Sequence, residues 1–283
     1  MNENSHKDNV TIGRIRYMNV APVYFGLDNG LRPEWMNLVR GVPSELNAAM
    51  ATGRLDISPV SVFAYARHQD EWMLMPDLSV SCFGPVMSVR LLSREAFGGL
   101  HNKTVWLTEE SETAAALTKL LFARRSVTPI FEPATIREPK DIPERVSAAL
   151  VIGDTALKFA WHRHFLYDLD LGDMWLRETG LPFVFAVWVV RKSLAAEKPD
   201  AVSAVSTLFR ESKRNGLDHL DEISTQASEK LGISRYTCLQ YYNRLDYSLN
   251  PLKIQGMETF MDGLCRTGLI DRPVHMSVFN ERV

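Results

Sequence analysis

The chain has 283 residues, of which 46% are hydrophobic and 23% charged, with a net charge of −2. That length and balance suit a globular protein of one large or two modest domains. They give no electrostatic case for nucleic acid or an anionic membrane, and the longest apolar run, Leu181 to Val190, is far short of a membrane span.

Met1 to Val10 is polar and lacks the apolar core of a secretory signal, so it reads as a disordered leader. Short apolar strands then alternate with helical patterns, as in an α/β sheet. Strands are predicted over Thr11–Ile15, Asn37–Gly41, Ile57–Val60, Val86–Leu92, Thr104–Leu107, Val127–Phe131, Ala149–Ile152 and Phe183–Val190. Ser44 is placed to cap a helix carrying Leu46, Ala49 and Met50 on one face and ending near Gly53. Ser111 or Thr108 is placed to cap a long Ala/Leu helix through Arg125. After Val190 the pattern is helical. Leu217, Leu220, Ile223, Ala227 and Leu231 keep helical spacing up to Gly232; Ile254, Met257, Met261 and Leu264 do so before Gly268. Two long apolar segments, 86–93 and 183–190, flank a central block. The chain is therefore expected to cross twice between two lobes: residues 1–92 with 189–283 in one, 93–188 in the other, and a ligand cleft between them.

Candidate chemistry sits mostly at strand ends. Tyr17-Met18-Asn19 follows the first strand, where open α/β sheets place ligands. Asn19 offers a donor and an acceptor there, or makes an Asx-turn before Pro22. Ser58 and Ser61 follow Asp56 and either line the cleft or cap the helix containing Phe63 to His68; Ser61 is the better cap, and His68 is placed at that helix's end. Gly84-Pro85 precedes Ser88, a combination that holds a hydroxyl and bare N–H groups against a ligand or simply makes a turn. Thr108, Ser111 and Thr113 surround a helix start that suits an anion, although Glu109, Glu110 and Glu112 already serve its dipole and repel one. Asp154 caps the next helix or holds a cleft hydroxyl.

His162 and His164 lack a nearby third ligand, so no metal is expected. The three cysteines, Cys82, Cys238 and Cys265, are widely spaced, which argues against disulfides and fits a cytoplasmic protein. There is no P-loop, dinucleotide fingerprint or G-x-S-x-G elbow. Residues 224–245 have the outline of a DNA-binding helix-turn-helix but carry only Arg235 and Arg244 on the second helix, so they read as packing.

Four segments together resemble a known family. They are Arg16-Tyr17-Met18-Asn19-Val20-Ala21-Pro22, Asp56-Ile57-Ser58-Pro59-Val60-Ser61 with Tyr65-Ala66-Arg67-His68 behind it, Gly84-Pro85-Val86-Met87-Ser88-Val89, and Gly180-Leu181-Pro182-Phe183-Val184-Phe185-Ala186-Val187-Trp188. The chain resembles the menaquinone-biosynthesis enzymes of the futalosine pathway from about Ile12 to Val190, and more loosely to about residue 270. The resemblance implies a two-lobed, periplasmic-binding-protein-like (type II) α/β fold with a central cleft. Within the family it points to the chorismate dehydratase branch, a cofactor-free hydro-lyase giving 3-[(1-carboxyvinyl)oxy]benzoate, with 1,4-dihydroxy-6-naphthoate synthase as the sister activity. It implies that Asn19 and Ser88 are catalytic while the substrate's own enolpyruvyl carboxylate takes the ring proton. Tyr17, Ser58, Ser61, Gly84, Pro85, Thr108, Ser111, Thr113, Asp154 and Phe183 are the implied substrate contacts.

The pattern departs at Arg16, where many relatives carry Pro, and at the bulky Cys82-Phe83. No dominant arginine is evident for two carboxylates unless Arg16 or Arg90 serves. A small-carboxylate-binding protein and a ligand-responsive regulator are the non-enzymatic alternatives, and the residues leave monomer or homodimer open.

Overall fold

A computed structural model describes residues 9–280; most of the expected leader lies outside the described residues. Val10, assigned to that leader, is instead the buried first residue of β1 (Val10–Ile15), its N–H bonded to the Trp35 carbonyl at 3.0 Å. The chain continues through α1 (Ala21–Gly26), β2 (Met36–Gly41), α2 (Pro43–Ala51), β3 (Ile57–Ser61), α3 (Val62–Arg67), β4 (Trp72–Cys82), β5 (Val89–Ser93), β6 (Thr104–Thr108) and α4 (Glu112–Arg124). There follow β7 (Ile130–Ala134), β8 (Ala148–Ile152), α5 (Gly153–Lys158), β9 (Tyr167–Asp170), α6 (Leu171–Thr179) and β10 (Phe183–Arg191). Five helices close the fold: α7 (Lys192–Glu197), α8 (Pro199–Asp218), α9 (Leu220–Leu231), α10 (Arg235–Tyr242) and α11 (Pro251–Arg266).

Two five-stranded mixed sheets organise two lobes, in the orders β2-β1-β3-β10-β4 and β7-β6-β8-β5-β9. Parallel pairs dominate one half of each, while β10 runs antiparallel to β3 and β4, and β5 antiparallel to β8 and β9. The chain leaves the first sheet after Cys82 and returns at Phe183. Both crossings thus fall ahead of the apolar runs, not near residues 92 and 188 as the sequence suggests. Each run is an interior strand flanked on both sides, so it is consumed whole by one sheet.

Local chemistry explains the other differences. β4, the longest strand, is not among the predicted strands and carries Pro76 and Asp77 in its middle. It tolerates them because it is the sheet's edge and bulges there, with the partner register shifting between Val187 and Val189. The C-terminal segment covers this edge: the Ser277 carbonyl accepts from the Leu74 N–H at 2.8 Å, and the Leu74 carbonyl accepts from the Phe279 N–H at 2.8 Å. β9 is too short and too acidic to show an apolar pattern. β7 begins at Ile130, three residues late, because Val127 closes α4 with an N–H bond to the Phe122 carbonyl at 3.1 Å. α2 begins at Pro43, ahead of the expected cap at Ser44. Proline suits a first helical position, and Glu45 accepts the Val42 N–H at 3.1 Å. The 217–231 periodicity spans two helices, broken at His219.

Candidate active site

A cavity of about 480 Å³ lies between the lobes. Ile15, Tyr17, Asn19, Asn47, Ser61, Phe185, Tyr241 and Leu245 line it from the first lobe; Ser88, Glu109 to Glu112, Gly153 and Asp154 line it from the second. The volume falls in the range of small-molecule sites.

Asn19 stands in a single 3-10 turn just past β1, and the Tyr242 hydroxyl fixes that turn by donating to the Met18 carbonyl at 3.1 Å. The Asn19 Oδ1 is buried without a hydrogen-bond partner, as is Oδ1 of Asn47 on α2. Asn19 therefore does not make the Asx-turn, and two amides on one wall are left to meet a ligand.

Ser88 sits across from them, 5% exposed, at the end of the first crossing. Gly84 (φ 96°) and Met87 (φ 66°) both take left-handed backbone there, a cost accepted at Met87 only because the surroundings dictate it. The Ser88 carbonyl accepts from the Gly153 N–H at 2.7 Å, and the Tyr241 phenol belongs to a residue lining the same cavity. Burial holds that phenol well above its usual range, so Tyr241 stays protonated at any ordinary pH.

Ser61 and Ser111 both cap and line. Ser61 accepts from the Ala64 N–H at 3.1 Å to start α3, and Ser111 accepts from the Ala114 N–H at 3.1 Å to start α4. Asp154 makes no cap bond at the start of α5; it faces the cavity.

Other expected contacts lie off the wall. Ser58 is fully buried against Gly13 and donates to the Pro59 carbonyl at 3.1 Å. Gly84 and Pro85 shape the crossing and do not line the cavity. Thr108 accepts from the Glu110 N–H at 3.2 Å. Thr113 joins the lobes, accepting from the Phe63 N–H at 3.1 Å. Phe183 packs in the core against Trp175 and Phe260. Phe185 lines the cavity in its place, because β10 bulges between Val184 and Ala186 and re-aims that side chain.

Among the described residues, no lysine, arginine or histidine lines the cavity. Arg16 is exposed, and Arg90 is engaged by Asp168 (Nε to Oδ1, 2.7 Å) and by the Ala156 carbonyl at 2.9 Å. The wall is acidic instead. Glu112 pairs with Arg67 of the opposite lobe at 2.7 Å. Burial raises the carboxyl pKa of Glu110, with Asp154 adding to the shift, and burial likewise raises that of Asp154 against the opposing pull of Lys230.

A carboxyl raised on folding gives its full stability below the unfolded value, about 3.9 for Asp, and loses it as pH rises through the folded value. Asp154→Asn is therefore expected to melt higher than the parent protein at pH 7, with the gap closing towards pH 3. Thermal melts at both pH values check this; an equal gap at both would contradict it.

The helix pair of 224–245 is part of the site. Tyr241 and Leu245 line the cavity, Cys238 and Tyr242 are buried, and Arg235 pairs with Asp221 at 2.5 Å. Of the two arginines assigned to the second helix, Arg235 is thus paired, and Arg244 lies beyond the helix end at Tyr242. Among the described residues, no helix is long and apolar enough to cross a membrane.

Two α/β lobes, two crossings and an inter-lobe cavity define a protein of the periplasmic-binding-protein fold. The periplasmic aliphatic sulphonate binding protein of Escherichia coli matches it with a TM-score of 0.68 over 94% of this chain and 95% of that one; at 13% identity this shows the fold alone. The chain belongs to the menaquinone biosynthesis family, whose model matches residues 10–265. It is 34% identical to the chorismate dehydratase of Thermus thermophilus over 89% of this chain and 94% of that protein. It is 29% identical to the 1,4-dihydroxy-6-naphtoate synthase of Streptomyces coelicolor over 61% and 60% of the two chains.

Proposed function

We propose that this protein is a cytoplasmic hydro-lyase that removes water from chorismate to give 3-[(1-carboxyvinyl)oxy]benzoate, without a metal or nucleotide. One observation carries the reading: Asn19 and Ser88 face a single inter-lobe cavity of about 480 Å³ in a chain that aligns along nearly the whole length of a chorismate dehydratase. The naphthoate synthase reading is the weaker one, because that relative aligns over a much smaller share of both chains.

In the proposed reaction the ring proton on the ether-bearing carbon passes to the substrate's enolpyruvyl carboxylate. The C–H electron pair forms the new ring double bond, and the C–O bond to the ring hydroxyl breaks. The departing oxygen takes a proton and leaves as water. Aromatisation drives the step, so orientation and hydrogen bonds to moving charge are what the protein must supply. Asn19 and Ser88 are assigned those bonds. Phe185 and Ile15 offer apolar surface for the ring. The first turn of α4, whose N–H groups lack partners within the helix, receives a carboxylate. Burial raises the pKa of Glu110 and of Asp154, the direction that lessens the repulsion a dianion would meet.

Protein stripped of metal by exhaustive chelation is expected to turn over chorismate at the untreated rate. Activity lost on chelation and restored by a divalent ion would overturn the cofactor-free mechanism.

A further inference from the structure

Asp170 appears in none of the motifs, yet its carboxylate joins the start of α6 to the segment that carries Ser88. It ends β9 and stands immediately before α6. Its carboxylate accepts four backbone N–H groups. Two belong to α6, Gly172 at 2.9 Å and Asp173 at 3.2 Å. The other two lie more than 80 residues away in the first crossing: Val86 at 3.0 Å to both oxygens, and Met87 at 2.6 Å. Among the described residues no lysine or arginine forms an ion pair with it; Arg90, its cross-strand neighbour, acts on it through space, and its hydrogen bonds go to these backbone dipoles.

The surroundings are built to the same end. The first turn of α6 presses on the crossing so closely that a Cβ at Gly172 would lie 2.5 Å from the Gly84 carbonyl oxygen. Met87, the residue Asp170 holds most tightly, is the one forced to φ 66°. Ser88 follows directly. A methionine takes that backbone region only under constraint, and the Asp170 bond supplies it.

We propose that Asp170 is a positioning residue for the elimination: by fixing the Val86 and Met87 amides it holds the Ser88 hydroxyl in the cavity and ties the first inter-lobe crossing to the second lobe. The inference rests on the role given to Ser88 above. Helix capping alone would require only the Gly172 and Asp173 bonds, and the carboxylate's second oxygen is used solely by the crossing.

The two roles separate in Asp170→Ser. Serine is a good helix cap and keeps the α6 bonds, but it is too short to reach Val86 and Met87. Its melting temperature is expected to stay near that of the parent. Hydrogen exchange should speed up at least about tenfold in a peptide covering residues 86–88 and stay unchanged in α6. Turnover of chorismate should fall about 10- to 100-fold in kcat with little change in KM, the range for a reacting group displaced by about an ångström. In a Ser88→Ala background the same substitution should cost almost nothing, because both act through one hydroxyl.

If Asp170→Ser lowers kcat equally with and without the Ser88 hydroxyl, or leaves exchange at 86–88 unchanged, the positioning role is wrong while the dehydration reading stands. A fully active Ser88→Ala would instead remove the functional role of Ser88, whatever the exchange data show at Asp170. Should Asp170→Ser not fold, Asp170→Asn serves: it keeps one acceptor for α6 and sets an amide donor against the Met87 N–H, with the same exchange and coupling results expected.

Discussion

Ser88→Ala and Asn19→Ala are each expected to lower kcat for chorismate by about 10²–10³, the loss typical of one donor aimed at charge that develops in the transition state. Neither should cost the fold much. Ser88 gives up one hydroxyl at the end of a loop. Asn19 gives up an amide whose buried oxygen has no partner, so its removal is close to neutral for stability or slightly stabilising. The division between kcat and KM identifies the role. Loss in kcat places the bond in the transition state, whereas a rise in KM alone would mean ground-state binding. Near-normal kcat in both variants, with unchanged melting temperatures, would move the chemistry to Asp154, Ser61 or the start of α4.

Trp188→Ala is expected to destabilise the protein by about 3–5 kcal/mol, the range for emptying a buried aromatic site. Trp188 is fully buried on β10, the strand that knits β3 to β4. Its indole lies 6.1 Å from the Tyr24 ring and 6.3 Å from Phe209, between centroids. Its N–H donates to the Tyr24 hydroxyl at 3.0 Å, and that hydroxyl donates to the Gly13 carbonyl at 2.6 Å. The substitution therefore opens a cavity and removes the donor that steadies a buried phenol. Urea unfolding measures the loss. A value below about 2 kcal/mol would mean that α1 and α8 collapse into the space. Residual folded protein should keep its kcat, because Trp188 does not line the cavity.

These two cases mark what was legible in the sequence. Tyr17, Asn19, Ser61, Ser111 and Asp154 reach the cavity wall because they end or follow strands at their carboxyl ends, a position readable from pattern alone; Ser88 reaches it from the residue before β5, flagged by the Gly84-Pro85 pair ahead of it. Phe183 and Phe185 differ only by a bulge, and a bulge leaves no mark in alternation; the core took one and the cavity the other. Asp170, Tyr241 and Asn47 were invisible for a different reason. Their importance lies in contacts made across the whole chain, and no local spacing encodes them. The expected arginine does not appear because Arg90 already has a partner in Asp168 on the neighbouring strand, and that pairing depends on sheet order. The helix pair looked like packing; its second helix supplies a wall of the site as well.

The central claim is the elimination itself, and the mass and ring chemistry of the product test it most directly. Purified protein incubated with chorismate should yield a species lighter by one water, with aromatic proton signals and the enolpyruvyl ether intact. Chorismate recovered unchanged while bound to folded protein, or an aromatic product that has lost its enolpyruvyl group, would contradict the account.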